Sequence, residues 1–392
     1  MNAPSSVDRP DWDVVIIGAG VAGAATACAL AGSGRRVLLA DHASWPRDKT
    51  CGCCLNPAGV ALLDDLGVLD EIASSANVLH TVHLHARGAM TEVAHAGLAV
   101  RRTTLDDALV RAAVSSGVEF APSTSLHVRS RGDASWTLDA RRPGHASSMR
   151  ATTVVVADGL QGRSLEALPE FDPRIRSRGR IGLSCVVPTA APRDGVVRMY
   201  LRNTGYLGVV DLPSSRAAVA LAVDPAWLKE VGGPHHAIRI LLGGEEPDLD
   251  VTDARILATP RLTRTRSRVA APGLFVVGDA SGYVEPLSGE GMTWALASAS
   301  LLGHLLLQEG LRDTDAARQW TSLTSRALRS RQRWAAFLRF AASRIPAVAA
   351  LGVRAGAMPG GTRLLEAALR RSARPYDLQV APSRPVLREH VA

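Results

Sequence analysis

The sequence predicts an α/β protein with a Rossmann-like domain, an inserted mixed β-sheet domain and a helical C-terminal region. An apolar run at 13–17 is followed by a glycine-rich turn, a helix of small residues and a strand at 37–40, the order of a βαβ unit. Alternating or apolar runs at 78–100 and 180–223 are typical of strands with one covered face. From about 313 onward the chain is rich in Ala, Arg and Leu, which favours helices.

Further helices are predicted on either side of the second sheet. The stretch 56–72 carries an apolar stripe and is predicted to be one helix, and another helix is expected at 103–116. Much later, a buried strand ending in Gly-Asp precedes a loop and a helix at 292–308.

Length and composition exclude several classes of protein. With 392 residues, 46% of them hydrophobic and 21% charged, the chain is neither disordered nor collagen-like nor a coiled coil. Its hydrophobic stretches are interrupted before about 20 residues, so no membrane-spanning helix is predicted. The N-terminus lacks the basic segment of a signal peptide, and the five cysteines do not form a disulfide framework. We therefore expect a cytoplasmic protein.

The charge balance favours anionic ligands over nucleic acid. The formal net charge is +8, and all but two of the 45 basic residues are arginines. Aromatic residues make up only 4% of the chain and no nucleic-acid motif is present, so no nucleic-acid partner is expected. A group of arginines at 326–333 is interpreted as a solvated face, with peripheral contact to anionic lipid as the alternative.

The strongest single motif is a G-x-G-x-x-G turn that follows the first strand and opens the first helix. Its first glycine permits the tight turn, its second lets a pyrophosphate approach the backbone, and its third packs the helix against the strand. Asp41 follows at about the expected 20 residues, and its carboxylate would accept hydrogen bonds from the adenosine ribose. This pattern predicts a dinucleotide site. The predicted residues of the turn are Gly18, Gly20, Val21, Ala22 and Gly23.

A second motif lies far along the chain, in the stretch FVVGDASGYVEPLSGEGM. Here the sequence resembles the flavoprotein superfamily of p-hydroxybenzoate hydroxylase, geranylgeranyl reductases and flavin-dependent halogenases, whose first domain is of the glutathione-reductase type. The resemblance implies FAD as the cofactor. It implies that Asp279, after Gly278, binds the ribityl chain. It also implies that Gly289, Gly291 and Met292 present backbone N–H groups to the pyrimidine edge of the flavin.

Two further motifs of this superfamily are in register. Arg102 begins an Arg-x-x-Leu-Asp-x-x-Leu helix whose arginine, by the resemblance, reaches the FAD phosphates. Asp158 begins an Asp-Gly motif that the resemblance places near FAD and near a transient NAD(P)H. The usual serine of that motif is Gly162 here, which departs from the pattern at the NAD(P)H contact. Val128, on a predicted strand, is also expected to contact the cofactor.

The stretch P-R-D-K-T-C-G resembles the geranylgeranyl reductase branch, in which Lys-x-Cys-Gly-Gly passes beside the flavin. The resemblance implies that Arg47, Cys51 and Gly52 contact the cofactor. Cys53 and Cys54 replace glycines, so the local backbone is expected to differ. No second cluster with suitable spacing supports zinc. An apolar role is favoured for Cys53 and Cys54, and a redox role for Cys51 stays open.

The motifs of other branches of the superfamily can be compared with the sequence. The halogenase motif Trp-x-Trp-x-Ile-Pro is missing, and no lysine lies between Lys49 and Lys229 to serve as its catalytic lysine. The reductase motif Tyr-x-Trp-x-Phe-Pro corresponds to the stretch from Tyr206, but Gly208 stands where the tryptophan would be. A glycine opens space over the sheet, which suits a ring or a bulkier substrate.

Catalytic side chains are harder to predict. His83 and His85 are two apart on a strand and share one face, so either could orient a phenol if that face lines the pocket. Tyr206 is a third candidate, and ordinary surface or packing roles are the alternative for all three. No second G-x-G-x-x-G motif exists, so NAD(P)H is expected to bind transiently unless a partner flavin reductase supplies electrons.

The favoured hypothesis is a FAD-dependent monooxygenase. It would hydroxylate an aromatic, phenolic natural-product intermediate through a flavin C4a-hydroperoxide formed with NAD(P)H and O₂. The alternative is a geranylgeranyl-reductase-like enzyme that saturates isoprenoid C=C bonds. A flavin-binding protein without turnover is a third hypothesis.

The order of the motifs also predicts the domains. The expected FAD-binding domain is discontinuous, a substrate-binding sheet is inserted into it, and helices follow. The FAD-binding segments are 1–77, 101–165 and 266–310, the substrate-binding segments 78–100 and 166–265, and the C-terminal region 311–392.

Overall fold

The structure, a computed structural model, describes residues 10–86, 88–285, 290–329 and 333. Its strands are β1 (Trp12–Ile17), β2 (Val37–Ala40), β3 (Cys54–Leu55), β4 (Asn77–Ala86), β5 (Ala89–Ala99), β6 (Glu119–Ala121), β7 (Ser125–Arg131), β8 (Trp136–Arg142), β9 (His145–Val156), β10 (Pro173–Ile175), β11 (Ile181–Pro188), β12 (Val196–Arg202), β13 (Gly205–Leu212), β14 (Arg216–Val223), β15 (Leu257–Arg261), β16 (Arg264–Arg266), β17 (Ala270–Ala271), β18 (Leu274–Val276) and β19 (Gly282–Tyr283). Its α-helices are α1 (Val21–Leu30), α2 (Pro57–Asp65), α3 (Leu69–Ala73), α4 (Arg102–Ser115), α5 (Pro225–Glu230), α6 (Pro234–Leu242), α7 (Gly291–Leu306) and α8 (Asp313–Leu323).

The first sheet has the order β17-β18-β9-β1-β2-β6, and the hairpin β7-β8 extends it from β9. β1 runs parallel to both β2 and β9, and β18 runs parallel to β9. All of β2 and the carboxyl-terminal parts of β1 and β9 are buried. Beside the sheet, α1 packs closely against both α4 and α7. Small residues allow this close packing: a Cβ on Gly303 of α7 would lie 2.5 Å from Cβ of Ala29 in α1.

The second sheet has the order β15-β11-β14-β13-β12-β4-β5-β3. Adjacent strands of this sheet run antiparallel, except that β12 and β4 run parallel, so the sheet is mixed. One face forms a core with α6, and the other faces the first sheet across a large cavity. A small sheet, β10-β16-β19, lies at the same junction. The predicted α/β fold with an inserted mixed sheet is confirmed.

The single helix predicted at 56–72 is wrong, because the structure forms two helices, α2 and α3, in this stretch. Gly67 separates them with a φ of +69°, a left-handed conformation that a right-handed helix cannot contain. The helix α2 begins where Asn56 accepts a hydrogen bond from the N–H of Gly59 at 3.0 Å. The helices predicted at 103–116 and 292–308 form with ends shifted by one or two residues.

The described part of the C-terminal region is helical. The helix α8 continues into a π-helical turn, Thr324–Leu328, and the chain from residue 334 onward lies outside the described residues. Trp320 is fully buried, and its Nε1 donates to the carbonyl of Val276 at 3.1 Å, which fastens α8 to the first sheet. Among the helices described, none combines the length and apolar character needed to cross a membrane.

Candidate functional site: a dinucleotide cradle opening onto an apolar sheet

A cavity of about 2250 Å³ separates the first sheet from the second. Its first half is lined by the carboxyl ends of β1 and β2, the start of α1, loop 47–54 and segment 157–164. Its second half is lined by the second sheet and the start of α7. Ordinary ligand pockets measure about 300–1,000 Å³, so this cavity can hold a dinucleotide and a second molecule beside it.

The glycine turn has the geometry that its motif predicts. Gly18 has a φ of +101°, and a Cβ on it would lie 2.6 Å from the carbonyl oxygen of Ala157. A Cβ on Gly23 would lie 1.8 Å from the carbonyl oxygen of Gly18, so α1 can meet β1 only if this residue is glycine. Gly20 caps α1 without a side-chain hydrogen bond, which leaves the first N–H groups of the helix facing the cavity.

Asp41 lies at the carboxyl end of β2 and lines the cavity. Its carboxylate accepts hydrogen bonds at 2.9 Å from the N–H groups of Ala19 and Ala43, and Nη2 of Arg47 lies 3.3 Å away. Burial alone would raise the pKa of Asp41, but Arg47 and these donors outweigh it and lower the pKa. The carboxylate is therefore held ionised as an acceptor, which fits the ribose role expected for it.

Three cations converge on the glycine turn. A Cβ on Gly20 would lie 3.4 Å from Nη2 of Arg47, 3.6 Å from Nη2 of Arg102 and 3.8 Å from Nζ of Lys49. Asp106 accepts hydrogen bonds from Arg102 at 2.7 and 2.8 Å and from Arg47 at 3.1 Å. Burial lowers the pKa of Lys49, and the charge of Arg102 lowers it further. A diphosphate would offset this concentration of positive charge, so the residues fit a dinucleotide cofactor.

Lys49 is absent from the predicted contacts although it lies inside the Lys-x-Cys-Gly stretch. The available signal was that it is the only lysine in the first 228 residues of an arginine-rich chain. Compared with a guanidinium, an ammonium group is a compact point charge on a flexible stem. A single lysine in an arginine-rich chain therefore indicates a position that needs a compact charge, which here lies beside the glycine turn.

The Asp-Gly motif departs from its family pattern in a way that the structure explains. Asp158 Oδ2 accepts hydrogen bonds from the hydroxyl of Ser164 at 2.6 Å and from its N–H at 3.1 Å. A Cβ on Gly162 would lie 2.1 Å from Oδ1 of Asp158, so a serine there would displace the carboxylate from its two hydrogen bonds with Ser164. Ser164 supplies the hydroxyl instead. Oδ1 is buried and has no hydrogen-bond partner among the described residues, which leaves it available to a ligand.

The flavin-side motif also faces the cavity. Asp279 lies in a 3₁₀ turn after β18, and Gly291 and Met292 begin α7. Burial raises the pKa of Asp279, and the nearby charges of Lys49 and Arg102 oppose that rise. The start of α7 presents backbone N–H groups that have no carbonyl partner within the helix, together with the positive end of the helix dipole. Gly289 lies outside the described residues.

Three expected cofactor contacts do not line the cavity. Gly23 and Gly278 act through packing: a Cβ on Gly278 would lie 2.7 Å from Cβ of Ala22. Val128 is a correction, because its side chain is fully buried in β7 and its N–H donates to the carbonyl of Ser164 at 2.7 Å. The residues before it, 125–127, face the cavity instead.

The second sheet gives the cavity an apolar floor, to which β4, β12, β13 and β14 all contribute. Met199 lies over Gly208, since a Cβ on that glycine would be 2.8 Å from its sulphur. The space that the missing tryptophan would leave is thus partly filled by Met199. The floor consists of Val82, Leu84, Val197, Met199, Leu201, Gly208, Ala220 and Ala222.

His83 and His85 do not line the cavity, which corrects their place among the catalytic candidates. Alternation along β4 turns Val82 and Leu84 toward the cavity and both histidines toward the opposite face. There, Nδ1 of His85 lies 2.8 Å from Glu245, and Nε2 of His83 lies 3.8 Å from an exposed glutamate of β5.

A third histidine, His95, lines the cavity instead. It lies at an irregularity in the pairing of β4 with β5, between the pairs Leu79–Gly97 and Thr81–Ala94. Such a bulge changes the face of the sheet on which the following side chains lie, and the alternation of residues in the sequence does not reveal it. Burial lowers the pKa of His95, so the imidazole is neutral at physiological pH.

Tyr206 lines the cavity and is held by a buried ion pair. Its phenol lies within electrostatic reach of Glu285, whose carboxylate lies 3.1 Å from Nη1 of Arg180. The Arg180 guanidinium also lies 5.8 Å from the centre of the Tyr206 ring. Burial and then the charge of Glu285 raise the pKa of Tyr206 well above its usual value, so the phenol stays protonated.

Comparisons with known proteins agree with this geometry. The model of the family described as "FAD binding domain" matches residues 11–335. Menaquinone reductase of Mycolicibacterium smegmatis is 29% identical over 342 residues, covering 79% of this chain and 80% of that protein. Squalene monooxygenase of Mus musculus is 25% identical over 315 residues, covering 76% of this chain and 55% of that protein.

A solved structure shows the same fold. PqsL of Pseudomonas aeruginosa, in complex with 2-aminobenzoylacetate, has a TM-score of 0.68 at 20% identity and covers 86% of this chain and 99% of its own. The expected resemblance and the FAD cofactor are confirmed. The chain therefore belongs to the FAD binding domain family, and it is a FAD-dependent oxidoreductase of a monooxygenase-type family.

Proposed function

We propose that the protein is a monooxygenase that hydroxylates an aromatic, phenolic compound with NAD(P)H and O₂. The observation that carries this proposal is Tyr206, which stands in the cavity wall beside the buried ion pair of Arg180 and Glu285. The apolar floor suits a ring, and a few polar groups around it suit a phenol. PqsL, which shares the fold, binds the aromatic 2-aminobenzoylacetate.

The roles of the cofactor contacts follow from the same geometry. The glycine turn and the three cations Arg47, Lys49 and Arg102 would hold the diphosphate. Asp41 would hold the adenosine ribose and Asp279 the ribityl chain. The N–H groups at the start of α7 would face the pyrimidine edge of the flavin and stabilise negative charge there. FAD bound in this way supplies the redox chemistry and the activation of O₂.

The side chains of the second half would position and activate the substrate. The negative charge of Glu285 acts on the Tyr206 phenol, so Glu285 is the acceptor we assign to the Tyr206 proton. A phenolic oxygen accepts as well as donates, so Tyr206 would accept the hydrogen bond of a substrate hydroxyl. The substrate proton can then pass to Tyr206 Oη as the Tyr206 proton moves to Glu285. The resulting phenolate makes the ring carbons electron-rich. The apolar floor excludes water from the reacting ring.

The test uses FAD-loaded protein, NADPH or NADH, ¹⁸O₂ and a panel of phenols and hydroxynaphthalenes. We expect a phenol that speeds flavin reduction and a product that carries one ¹⁸O atom. Tyr206→Phe and Glu285→Gln should each lower product formation by about 100-fold. Tyr200→Phe is the matched control, because Tyr200 bonds Glu246 on the other face of the sheet. A product without ¹⁸O, or equal rates in all three variants, would contradict the proposal.

A reductase is the second candidate, favoured by a specific observation. Menaquinone reductase is among the relatives matched, and Lys49, Cys51 and Gly52 keep the Lys-x-Cys-Gly stretch of the reductase branch. Such an enzyme would saturate isoprenoid C=C bonds by hydride delivery. Anaerobic turnover separates the two functions: product formed from a polyprenyl substrate without O₂ supports the reductase, whereas a strict need for O₂ supports the monooxygenase.

A further inference from the structure

Two cysteines meet at the flavin side of the cavity. The N–H of Cys53 donates to the sulphur of Cys51 at 3.2 Å, and the Cys53 thiol interacts with the same sulphur strongly enough to shift the pKa of both groups. Both thiols are free in the structure. The two cysteines are separated by one residue, and the nitrogen that the Cys51 sulphur contacts is bonded to the Cα that carries the second thiol. The second thiol is therefore within reach of the first for a disulfide.

The backbone at Cys53 is unusual for a cysteine. Its φ is +58°, in the left-handed region where side chains other than glycine are strained. In the Lys-x-Cys-Gly-Gly pattern that this loop resembles, a glycine occupies the position and adopts such a φ freely. This chain therefore holds a thiol where a glycine would be unstrained, and non-glycine residues in strained conformations concentrate at functional sites.

The two thiols are polarised in opposite directions. The hydrogen bond from Cys53 lowers the pKa of Cys51 to about 6, with help from the charge of Arg102 and against the effect of burial. The same hydrogen bond and burial raise the pKa of Cys53 well above its usual value. These shifts favour the thiolate at Cys51 and the protonated thiol at Cys53, the pairing of an attacking and a resolving sulphur.

The pair lies next to the flavin-side motif. Cys51 lines the cavity, and its sulphur is 3.8 Å from the sulphur of Met292 in the first turn of α7. The N–H of Cys51 donates to the hydroxyl of Ser184 at 3.2 Å, which fixes the loop against the second sheet. Cys54 points elsewhere, with its thiol toward the carbonyl of Gly52 at 3.3 Å.

We propose that Cys51 and Cys53 form a reversible dithiol–disulfide pair that exchanges two electrons with FAD. In the oxidising direction the Cys51 thiolate and the Cys53 thiol form an S–S bond. The two electrons and the Cys53 proton pass to FAD, which becomes its reduced anion FADH⁻. In the reverse direction FADH⁻ opens the disulfide and restores one thiolate and one thiol. The apolar role expected for Cys53 from the sequence explains neither its strained backbone nor its contact with Cys51.

The test measures thiols directly, so it does not depend on enzyme activity. FAD-loaded protein is equilibrated anaerobically in dithiothreitol buffers of increasing oxidised fraction, quenched in acid, unfolded, alkylated with N-ethylmaleimide and weighed intact. The chain has five cysteines. We expect five adducts under reducing conditions and three under oxidising conditions, with a single two-electron transition between them.

Variants separate this pair from other pairings. Cys53→Gly and Cys53→Ser should keep the bound FAD absorbance but show four adducts under every condition. Cys53→Gly also guards against misfolding, because glycine relieves the strained φ. Cys54→Ser is the matched control and should keep the two-adduct transition, from four adducts to two. Five adducts under all conditions in the natural chain, or a transition that Cys54→Ser abolishes and Cys53→Gly keeps, would overturn the proposal.

Discussion

Lys49 reaches the glycine turn from the loop after β2, where it joins Arg47 and Arg102 around Gly20. A charge-assisted contact to a phosphate is worth about 1.5–3 kcal/mol, which corresponds to about a 10- to 100-fold change in affinity. We expect Lys49→Met to weaken FAD binding by that factor, measured by fluorescence titration of the apoprotein. Lys229→Met on α5 removes the same charge from the other lysine and should leave the Kd unchanged. Equal affinities in the two variants would contradict this role.

The affinity for FAD should also depend on pH through Lys49. Burial and the charge of Arg102 lower the pKa of Lys49 in the apoprotein, whereas a bound diphosphate favours the charged ammonium. Binding therefore takes up a proton once the pH exceeds the lowered pKa, and the Kd should rise from neutral to alkaline pH. The same titration across pH checks this, and Lys49→Met should flatten the profile.

Among single residues, the sequence predicts correctly those whose role depends only on the local backbone. Gly18 and Asp41 occupy the positions that the motif requires, because a turn and a strand end place them without help from distant segments. His83, His85 and His95 show the limit. Which face of β4 is covered depends on partners far along the chain, and the bulge that admits His95 arises from pairing between strands.

At the scale of elements, the boundary between α2 and α3 is set by one backbone conformation. Gly67 has a φ of +69°, and no atom lies within 4 Å of the place where a Cβ would be. The effect of Gly67→Ala therefore comes from the backbone alone, and we expect a loss of about 1 kcal/mol in the free energy of unfolding, measured in urea. Gly132→Ala, at a turn residue without a positive φ, is the control and should change stability less. An equal effect in both variants would show that the left-handed conformation is not the cause.

The apolar stripe at 56–72 predicts the buried face of both helices correctly but not the break between them. Leu62, Leu63 and Ile72 are buried, as an apolar stripe predicts. The break at Gly67 hardly changes the spacing of the apolar residues, so their periodicity does not reveal it. A glycine within a helical pattern is ambiguous, since it is tolerated in a helix as well as in a C-terminal cap. The pairing of the second sheet is likewise decided by tertiary contacts, such as the parallel neighbours β12 and β4.

At the scale of the molecule, contacts with β11 help to connect the cofactor side to the second sheet. The N–H of Cys51 donates to Ser184 of β11, and Arg180, just before β11, pairs with Glu285 beyond β19. Because the cavity lies between these elements, a bound cofactor is expected to stabilise β11 as well as the glycine turn. Local opening of β11 would then have to break its contacts with Cys51 and Glu285, which the bound cofactor holds in place.

Hydrogen exchange of the apoprotein and the FAD-loaded protein measures this coupling. We expect FAD to slow exchange in loop 47–54 and in β11 (Ile181–Pro188), while α6 (Pro234–Leu242), on the far face of the second sheet, exchanges as before. Ser184→Ala removes one of these contacts with β11 and should reduce the protection of β11 while leaving that of the glycine turn intact. If protection stopped at loop 47–54, the second sheet would move independently of the cofactor. Substrate positioning would then have to be established by the substrate itself, because the apolar floor would not be fixed relative to the flavin before the substrate binds.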